Sequence, residues 1–460
     1  FTQGAATVLV SDEVTTSAAR GVYLLSELDG SDGFMLSGID AGDLSGRSVS
    51  TAGDVNGDGY ADLLIGANQA DPGGESSAGE TYVVFGKSES FGASVDLGSL
   101  GAGDGFVING VDSYDYSGRS VSTAGDVNGD GYADLLIGAA TADPGGEGSA
   151  GETYVVFGKS ESFASSVDLG TLDGSDGFML TGIDAGDNSG ISVSTAGDVN
   201  GDGYGDILIG AYGGDAGGSS SGEAYVVFGK NGSFAASVDL DSLDGSDGFM
   251  LTGIDAYDYS GYSVSEAGDV NGDGYADLLI GAYGADDYMG ETYLVFGKSD
   301  SFGASVDLGA LDGSDGFVLS GIDANDYSGY SVSTAGDVNG DGYADILIGA
   351  YKADPDGVSN AGETYVVFGK SESYGASVDL GALAGSDGFV LTGINANDNS
   401  GISVSTAGDV NGDGYADLLI GAYQADPGGD ERAGETYVVF GKSESFGASV
   451  DLGSLGAGDG

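Results

Sequence analysis

Short apolar runs recur along the chain, separated by stretches rich in glycine, serine and aspartate. In the first complete set the runs are Phe34–Ile39, Arg47–Thr51, Asp62–Ala67 and Thr81–Phe85. Each run is short and bounded by turn residues, and β-branched or aromatic residues recur in these runs, so the pattern predicts four strands. No long segment has helical periodicity, and we therefore expect an all-β protein.

The same set of runs returns six times and forms an internal repeat. Counted from Phe34, the units are 34–105, 106–177, 178–248, 249–316, 317–388 and 389–460, preceded by residues 1–33. Repeats of about 70 residues with four strands and glycine-rich turns are typical of a β-propeller, whose blades pack radially. A solenoid is the competing architecture. We interpret residues 1–460 as one propeller domain.

The number of blades depends on where a blade begins. If it begins with the strand before the aspartate-rich loop, the runs Thr7–Ser11 and Val22–Ser26 belong to an incomplete first blade. Five complete blades and one blade with three strands follow, which predicts a seven-bladed β-propeller of four-stranded antiparallel blades. The missing last strand is expected from the tail run Ser449–Leu452, from a longer chain or from a neighbouring subunit. We favour a longer chain or self-association through the incomplete terminal blade.

The composition adds a strong negative charge. The chain has 74 acidic and 11 basic residues, which give a formal net charge of −63 distributed over all the repeats. Nucleic acid is not an expected partner, because phosphate binding needs basic patches. Hydrophobic residues make up 40% of the chain and fall in regular runs, so we expect a folded protein despite the charge.

One motif precedes the second apolar run of every unit. It reads Asp-Val-Asn-Gly-Asp-Gly-Tyr-(Ala/Gly)-Asp and places oxygen-bearing side chains at offsets 1, 3, 5 and 9. This spacing matches the first part of an EF-hand calcium loop, in which offset 7 contributes a backbone carbonyl. We predict about six calcium ions, one for each loop. The predicted ligands are Asp54, Asn56, Asp58, Tyr60, Asp62, Asp126, Asn128, Asp130, Tyr132, Asp134, Asp198, Asn200, Asp202, Tyr204, Asp206, Asp269, Asn271, Asp273, Tyr275, Asp277, Asp337, Asn339, Asp341, Tyr343, Asp345, Asp409, Asn411, Asp413, Tyr415 and Asp417.

The motif differs from a complete EF-hand at its end. The glutamate expected at offset 12 is an isoleucine in every copy, for example Ile65 and Ile137. A β-branched apolar residue favours a strand at this position, so the loop should join two strands rather than two helices. The competing interpretation is a set of simple Asp/Asn/Gly turns, which the strict repetition of the residue types disfavours.

Histidine and cysteine are absent from the chain. Their absence excludes Ser-His-Asp and Cys-His catalysis and histidine-ligated zinc. Two-carboxylate glycoside hydrolysis remains open. Glu266 breaks the repeat where the other copies have threonine, but no second acid matches it. We expect a protein that is not an enzyme, with a polysaccharide-degrading enzyme as the less favoured alternative.

Calcium loops of this open kind fill most reliably where calcium is millimolar, which predicts a secreted or cell-surface protein. No apolar run approaches the length of a membrane span. The first residues, FTQGAATVLV, lack a basic segment and are interpreted as a mature end after processing.

The stretch Ser117–Ala139, SGRSVSTAGDVNGDGYADLLIGA, resembles the FG-GAP repeats of integrin α-subunit propellers and their bacterial relatives. Serine replaces the phenylalanine of the FG pair, as at Ser45, and the proline of GAP is also replaced, as at Asn68 and Tyr212. The resemblance implies a propeller with structural calcium loops on one face and partner contacts on the opposite face. The two departures weaken any inference to integrin-like ligand binding.

Two sets of positions vary between the repeats and are expected on the face opposite the calcium loops. One set follows the second apolar run, as at 68–79, and the other surrounds the start of the first strand. Tyrosines at these positions are suited to contact protein or glycan. Sequence drift in loops that tolerate change would explain the variation between repeats equally well. The predicted partner residues are Tyr114, Tyr116, Tyr257, Tyr259, Tyr262, Tyr327 and Tyr330.

The sequence therefore predicts an extracellular calcium-binding β-propeller with a structural, adhesive or assembly role. The alternative is a carbohydrate-binding module that uses the loop tyrosines.

Overall fold

Each repeat folds in the strand order that its hydrophobic pattern predicts. The structure is a computed structural model and describes residues 6–8, 24–160, 162–456 and 458–460. In the first blade, Ser48–Gly53, Asp62–Ala67, Glu80–Val84 and Gly105–Asn109 pair in this order, each antiparallel to the next. The second of these strands is largely buried along its whole length, which explains its continuous apolar sequence.

Six copies of this arrangement define blades 1 to 6, and their strands are named here by position. The inner strands are Ser48–Gly53, Ser120–Gly125, Ser192–Gly197, Ser263–Gly268, Ser331–Gly336 and Ser400–Gly408. The second strands are Asp62–Ala67, Asp134–Ala139, Asp206–Ala211, Asp277–Ala282, Asp345–Ala350 and Asp417–Ala422. The third strands are Glu80–Val84, Glu152–Val156, Glu223–Val227, Glu291–Val295, Glu363–Val367 and Glu435–Val439. The fourth strands of blades 1 to 5 are Gly105–Asn109, Gly177–Thr181, Gly248–Thr252, Gly316–Ser320 and Gly388–Thr392.

Blades 1 to 5 have five strands, so the prediction of four-stranded antiparallel blades is wrong. A short outer strand pairs in parallel with the fourth strand, as Ser166–Asp168 does with Gly105–Asn109. This strand was missed because it has three residues, only one of them apolar. The tail run is the outer strand of blade 5 rather than part of a further blade. The outer strands are Ser166–Asp168, Ser237–Asp239, Ser305–Asp307, Ser377–Asp379 and Ser449–Asp451.

The propeller has six blades, so the prediction of seven is also wrong. The additional blade was counted from the N-terminal runs. Residues 9–11 and 22–23 of these runs lie outside the described residues, and Leu25–Glu27 is a 3₁₀ turn rather than part of a strand. Phe34–Ser37 belongs to a small sheet with Ala6–Val8 and Ser94–Asp96. Among the described residues this sheet contains no pair of strands joined by an aspartate-rich loop, and that pair is the part that all six blades share.

The hydrophobic core lies between successive blades. One cluster joins Leu64 and Val83 of blade 1 to Val121, Ile137 and Tyr154 of blade 2. Equivalent clusters join each later pair of blades. Full burial of one such aliphatic side chain stabilises the fold by about 1.5–3 kcal/mol. Most of the stability therefore comes from contacts between blades.

Helices in the described residues are single turns. The α-helical turn is Ala285–Tyr288, and the 3₁₀ turns are Leu25–Glu27, Pro72–Gly74, Leu97–Ser99, Pro144–Gly146, Leu169–Thr171, Leu240–Ser242, Leu308–Ala310, Pro355–Gly357, Leu380–Ala382, Pro427–Gly429 and Leu452–Ser454. In the part of the chain that the structure describes, no helix has the length and apolar character needed to cross a membrane.

Candidate functional site

The six aspartate-rich loops join the inner strand to the second strand of each blade, as the sequence predicts. In blade 1 the pairing register shifts at the end of the inner strand, between Thr51 and Gly53, which is a β-bulge. Gly57 and Gly59 within the loop have φ of 73° and 92°. Glycine adopts this left-handed conformation without steric cost, so the two glycines allow the sharp turn.

Each loop is closed by hydrogen bonds from its own backbone to its acidic and amide side chains. In blade 1 the amide of Asp58 donates to Oδ1 of Asp54 at 3.0 Å and to Oδ1 of Asn56 at 2.8 Å. The amide of Gly59 donates to Oδ2 of Asp54 at 2.9 Å. The same three bonds recur in the other five loops. The side chains of the first and second predicted ligands are therefore held on one turn by the backbone amides of the third ligand and of the glycine that follows it.

The last aspartate of each motif lies apart from these three, at the start of the second strand. Asp62 is fully buried, and its two carboxylate oxygens accept hydrogen bonds from the amides of Val55 at 3.0 Å and Gly86 at 2.7 Å. The equivalent aspartates Asp134, Asp206, Asp277, Asp345 and Asp417 are buried in the same way, each with two amide donors. This residue ties the loop to the turn that follows the third strand.

Burial raises the pKa of these carboxyl groups. It raises the pKa of Asp62 to about 6 and that of Asp134 and Asp206 to about 8, although the amide hydrogen bonds lower it. The other aspartates of the same loops raise it further. A cation near the loop would favour the ionised form of these groups.

The residue types fit calcium, since all side-chain donors are hard oxygens. Within the described ranges, however, no three acidic side chains converge closely enough to enclose a metal ion. The first and second aspartates share one turn, whereas both oxygens of the last aspartate accept hydrogen bonds from backbone amides. The loops therefore have the donors of a calcium site, but the acidic side chains of a loop do not surround one point in the described residues.

Five of the seven predicted partner tyrosines lie in one continuous cluster of aromatic rings. The tyrosine cluster consists of Tyr212, Tyr257, Tyr259, Tyr262, Tyr283, Tyr288, Tyr327, Tyr330 and Tyr351. It extends from blade 3 to blade 5. Tyr257 and Tyr288 are 55% and 36% exposed, so the cluster is open to solvent.

The rings of the cluster contact each other across the blades. Tyr283 stacks on Tyr259 with ring centroids 5.3 Å apart and on Tyr327 at 5.8 Å. Deeper in the cluster, the rings of Tyr262 and Tyr330 are 4.8 Å apart and their hydroxyl groups are hydrogen-bonded at 2.8 Å. These last two residues support the surface rather than form its most exposed part.

The tyrosine cluster and the aspartate-rich loops lie at opposite ends of the blades. In blade 4, Tyr262 directly precedes the inner strand Ser263–Gly268, and Tyr283 directly follows the second strand Asp277–Ala282. The loop of this blade joins the other ends of the same two strands. The cluster therefore lies on the face that the family resemblance implies for partners.

Tyr114 and Tyr116 belong to blade 2 and are separate from the cluster. Tyr114 is 61% exposed, and no ring contact joins either residue to the cluster within the described ranges. Four cluster members were not among the predicted partner residues, namely Tyr212, Tyr283, Tyr288 and Tyr351. Tyr212, Tyr283 and Tyr351 occupy the position at which the resembled pattern has proline, and Tyr423 occupies it in blade 6, so four tyrosines at one position were a usable signal.

The fold and the loops together define an all-β propeller built from repeats that each carry one aspartate-rich loop. The FG-GAP repeat model matches residues 45–84, 117–156, 189–227, 260–296, 328–367 and 400–439, and this chain belongs to the FG-GAP repeat family. The six matched segments contain the inner, second and third strands of the six blades.

Integrin subunits and a phospholipase are among the similar proteins. The chain is 27% identical to integrin alpha-PS2 of Drosophila melanogaster over 52% of this chain and 17% of that protein. It is 30% identical to integrin alpha-V of Gallus gallus over 52% of this chain and 20% of that protein. It is 31% identical to phosphatidylinositol-glycan-specific phospholipase D of Bos taurus over 39% of this chain and 20% of that protein. The chain thus spans about a fifth of the length of these relatives, which include both integrin subunits and an enzyme.

Proposed function

We propose that this chain is an extracellular, calcium-stabilised propeller with an adhesive or assembly role and without catalytic activity. The observation that carries the proposal is the presence of one loop geometry six times, each time with three aspartates and one asparagine at the same places. A chance turn would not need the same oxygen donors in every copy.

In each blade, the first aspartate, the asparagine, the second aspartate, the tyrosine carbonyl and the last aspartate would hold one calcium ion. In blade 3 these residues are Asp198, Asn200, Asp202, Tyr204 and Asp206. Calcium would neutralise the mutual repulsion of three carboxylates, so ion binding would be coupled to folding. Loops of moderate affinity are filled where calcium is abundant, which favours a location outside the cell.

The tyrosine cluster is the proposed contact surface, and a protein is the proposed partner. Tyrosine combines a large apolar ring with a hydroxyl group and is enriched at protein interfaces. The similarity to two integrin subunits supports a protein partner. The exposed members Tyr257 and Tyr288 would make the direct contacts.

The environment of Glu266 favours a role without catalysis. Burial alone raises the pKa of this carboxyl group, and no other ionised group contributes to the shift. A glycoside hydrolase needs two carboxyl groups about 5–10 Å apart, which would influence each other's pKa. Glu266 is therefore given no catalytic role in this proposal.

Calorimetric unfolding of the whole chain in calcium and in excess chelator tests the calcium proposal. We expect chelator to lower the melting temperature by 10 °C or more, on the order of several kcal/mol of lost binding energy. Magnesium at the same concentration is the matched control and should restore little of the loss, because Mg²⁺ dehydrates reluctantly. A melting temperature that is the same in calcium and in chelator would contradict the proposal.

Cell attachment to plates coated with the chain tests the adhesive role. The change of Tyr257 and Tyr288 to serine should reduce attachment in calcium, whereas Tyr114→Ser should leave it unchanged. All three side chains are exposed, so these variants should fold normally. Equal attachment to the wild type and to the double variant would remove the tyrosine cluster from the proposal.

A further inference from the structure

Tyrosine is the side chain of this protein that one-electron oxidants attack most readily. The chain contains no tryptophan, cysteine or histidine, and it has 26 tyrosines. Its four methionines are oxidised in a different way, by addition of oxygen to the sulfur. A phenol instead loses one electron and its hydroxyl proton and becomes a radical. One-electron oxidation of the chain therefore produces tyrosyl radicals.

Two tyrosyl radicals form a carbon–carbon bond only where their rings meet, and the tyrosines of the third strands do not provide this. Tyr225 is 1% exposed, and its hydroxyl group donates a hydrogen bond to the carboxylate of Glu223. It belongs to a core cluster whose other buried members are alanine, valine, leucine, isoleucine and phenylalanine. Coupling of two tyrosines therefore requires a place such as the tyrosine cluster.

The tyrosine cluster connects exposed rings to rings beneath them. Tyr257 and Tyr288 are open to solvent and can be oxidised from outside. The ring centroids of Tyr257 and Tyr259 are 6.4 Å apart, and those of Tyr259 and Tyr283 are 5.3 Å apart. The ring of Tyr283 lies 4.8 Å from that of Tyr262. Electrons can pass between rings at such distances, so oxidation at the surface reaches Tyr262.

Tyr262 and Tyr330 are already arranged like the two halves of a dityrosine. Their hydroxyl oxygens are 2.8 Å apart, their ring centroids are 4.8 Å apart and their rings are inclined at 43°. In dityrosine the new bond joins the ring carbons next to the two hydroxyl-bearing carbons. The two hydroxyl groups are then neighbours, the rings are twisted and the centroids are only slightly closer than in this pair. Little movement is therefore needed to form the bond.

A short distance between rings is not sufficient by itself. The ring centroids of Tyr330 and Tyr351 are 4.7 Å apart, with the rings inclined at 58°. Within the described ranges, however, the hydroxyl groups of these two residues are not hydrogen-bonded to each other. The reactive carbons lie beside the hydroxyl groups, so the hydroxyl contact selects Tyr262 as the coupling partner of Tyr330.

We propose that Tyr262 and Tyr330 are a modification site at which a haem peroxidase and hydrogen peroxide produce a dityrosine cross-link. Each tyrosine loses one electron and its hydroxyl proton, and the two radicals form a bond between the ring carbons next to the hydroxyl-bearing carbons. The hydrogens on these carbons leave as protons, and both oxygens are protonated again. Hydrogen peroxide accepts the two electrons and two protons that the pair loses overall and becomes two water molecules.

The cross-link joins blade 4 to blade 5 across a separation of 68 residues. In a chain without cysteine it takes the place of a disulfide and, like a disulfide, restricts the unfolded chain. We therefore expect the cross-linked protein to be more stable than the untreated protein. The inference depends on ring contacts alone, so it does not depend on calcium binding or on adhesion.

Treatment of the dilute whole chain with a haem peroxidase and hydrogen peroxide tests the inference. We expect the blue fluorescence of dityrosine, a chain that is lighter by two hydrogen atoms and a higher melting temperature. After proteolysis, mass spectrometry should find the peptides that contain residues 262 and 330 joined to each other. Absence of dityrosine, or tyrosines joined only between two chains, would overturn the inference.

Two phenylalanine variants identify the pair. Tyr330→Phe keeps the ring but lacks the phenol, so treatment should produce no cross-link at residue 262 and no rise in melting temperature over the untreated variant. Tyr351→Phe is the matched control, because it removes a hydroxyl group from a ring equally close to Tyr330, and it should be cross-linked like the wild type. Linkage of Tyr330 to Tyr351 instead of Tyr262 in the wild type would contradict the assignment of the pair.

Discussion

The hydroxyl groups of Tyr262 and Tyr330 are hydrogen-bonded at 2.8 Å and link blade 4 to blade 5 beneath the exposed tyrosines. The two side chains are partly buried, and their ring centroids are 4.8 Å apart. This pair couples the packing of two blades to the shape of the surface above it.

Removal of both hydroxyl groups should cost little more stability than removal of one. Tyr262→Phe leaves the hydroxyl of Tyr330 without this partner, and we expect a loss of about 1 kcal/mol in the free energy of unfolding. The double change to phenylalanine should cost little more than the single change, because no hydroxyl is left unpaired. Denaturant unfolding of the two single variants and the double variant checks this, and strictly additive losses would show that the bond is not coupled.

Gly210→Ala and Gly421→Ala should have very different effects although the two glycines are equivalent in the repeat. A Cβ at Gly210 would lie 1.9 Å from the carbonyl oxygen of Gly261 in the next blade, whereas at Gly421 the nearest atom is 3.5 Å away. We expect Gly210→Ala to destabilise the fold by about 2–4 kcal/mol and Gly421→Ala by no more than about 0.5 kcal/mol. Chemical unfolding of the wild type and of the two variants measures both losses.

A comparable loss in both glycine variants would mean that local backbone conformation, and not the next blade, requires glycine at this position.

Glu266→Thr should stabilise the protein at neutral pH and much less in acid. Burial raises the pKa of Glu266 in the folded state, so the folded state binds the proton more tightly than the unfolded state. The stabilisation from proton binding is complete below the unfolded pKa, about 4.3, and is lost as the pH rises through the folded pKa. The free energy of unfolding of the threonine variant should therefore exceed that of the wild type by on the order of 1 kcal/mol at pH 8 and by little at pH 4.

The other blades provide the reverse experiment. Thr195 of blade 3 accepts a hydrogen bond from the amide of Gly197 at 3.0 Å, and Thr334 is its equivalent in blade 5. Thr334→Glu should lower the free energy of unfolding at pH 8 and recover stability as the pH falls. A gain for Glu266→Thr that is the same at pH 4 and pH 8 would exclude ionisation as the cause.

Loss of one loop aspartate should remove one calcium ion. Asp202→Ala deletes a predicted ligand and the hydrogen bond that its Oδ1 accepts from the amide of Tyr204. We expect bound calcium, measured by elemental analysis after dialysis, to fall by about one from about six per chain. Asp241→Ala, at an exposed position outside the loops, should leave the number unchanged. Equal calcium content in the two variants would contradict the assignment of Asp202.

The sequence alone determined the all-β class, the six units and the place of each aspartate-rich loop between two strands. These features depend on local patterns, namely apolar runs such as Asp62–Ala67 and turn residues at fixed offsets. The same patterns occur in every repeat. Because the motif is repeated, the sequence alone also shows the family resemblance.

Only the tertiary structure decided the features that depend on contacts between distant residues. The outer strand Ser166–Asp168 is too short and too polar to be predicted from its sequence pattern. It forms because it pairs with the free edge of the fourth strand of the preceding blade. The tyrosine cluster exists because adjacent blades bring Tyr259, Tyr283 and Tyr327 together. The number of blades also depended on strand pairing. Phe34–Ser37 pairs with Ala6–Val8 and Ser94–Asp96, and these partners place it outside the sheets that contain an aspartate-rich loop. A repeated sequence determines each blade by local pattern, whereas sheet edges, ring contacts and the faces between blades are fixed by residues far apart in the chain.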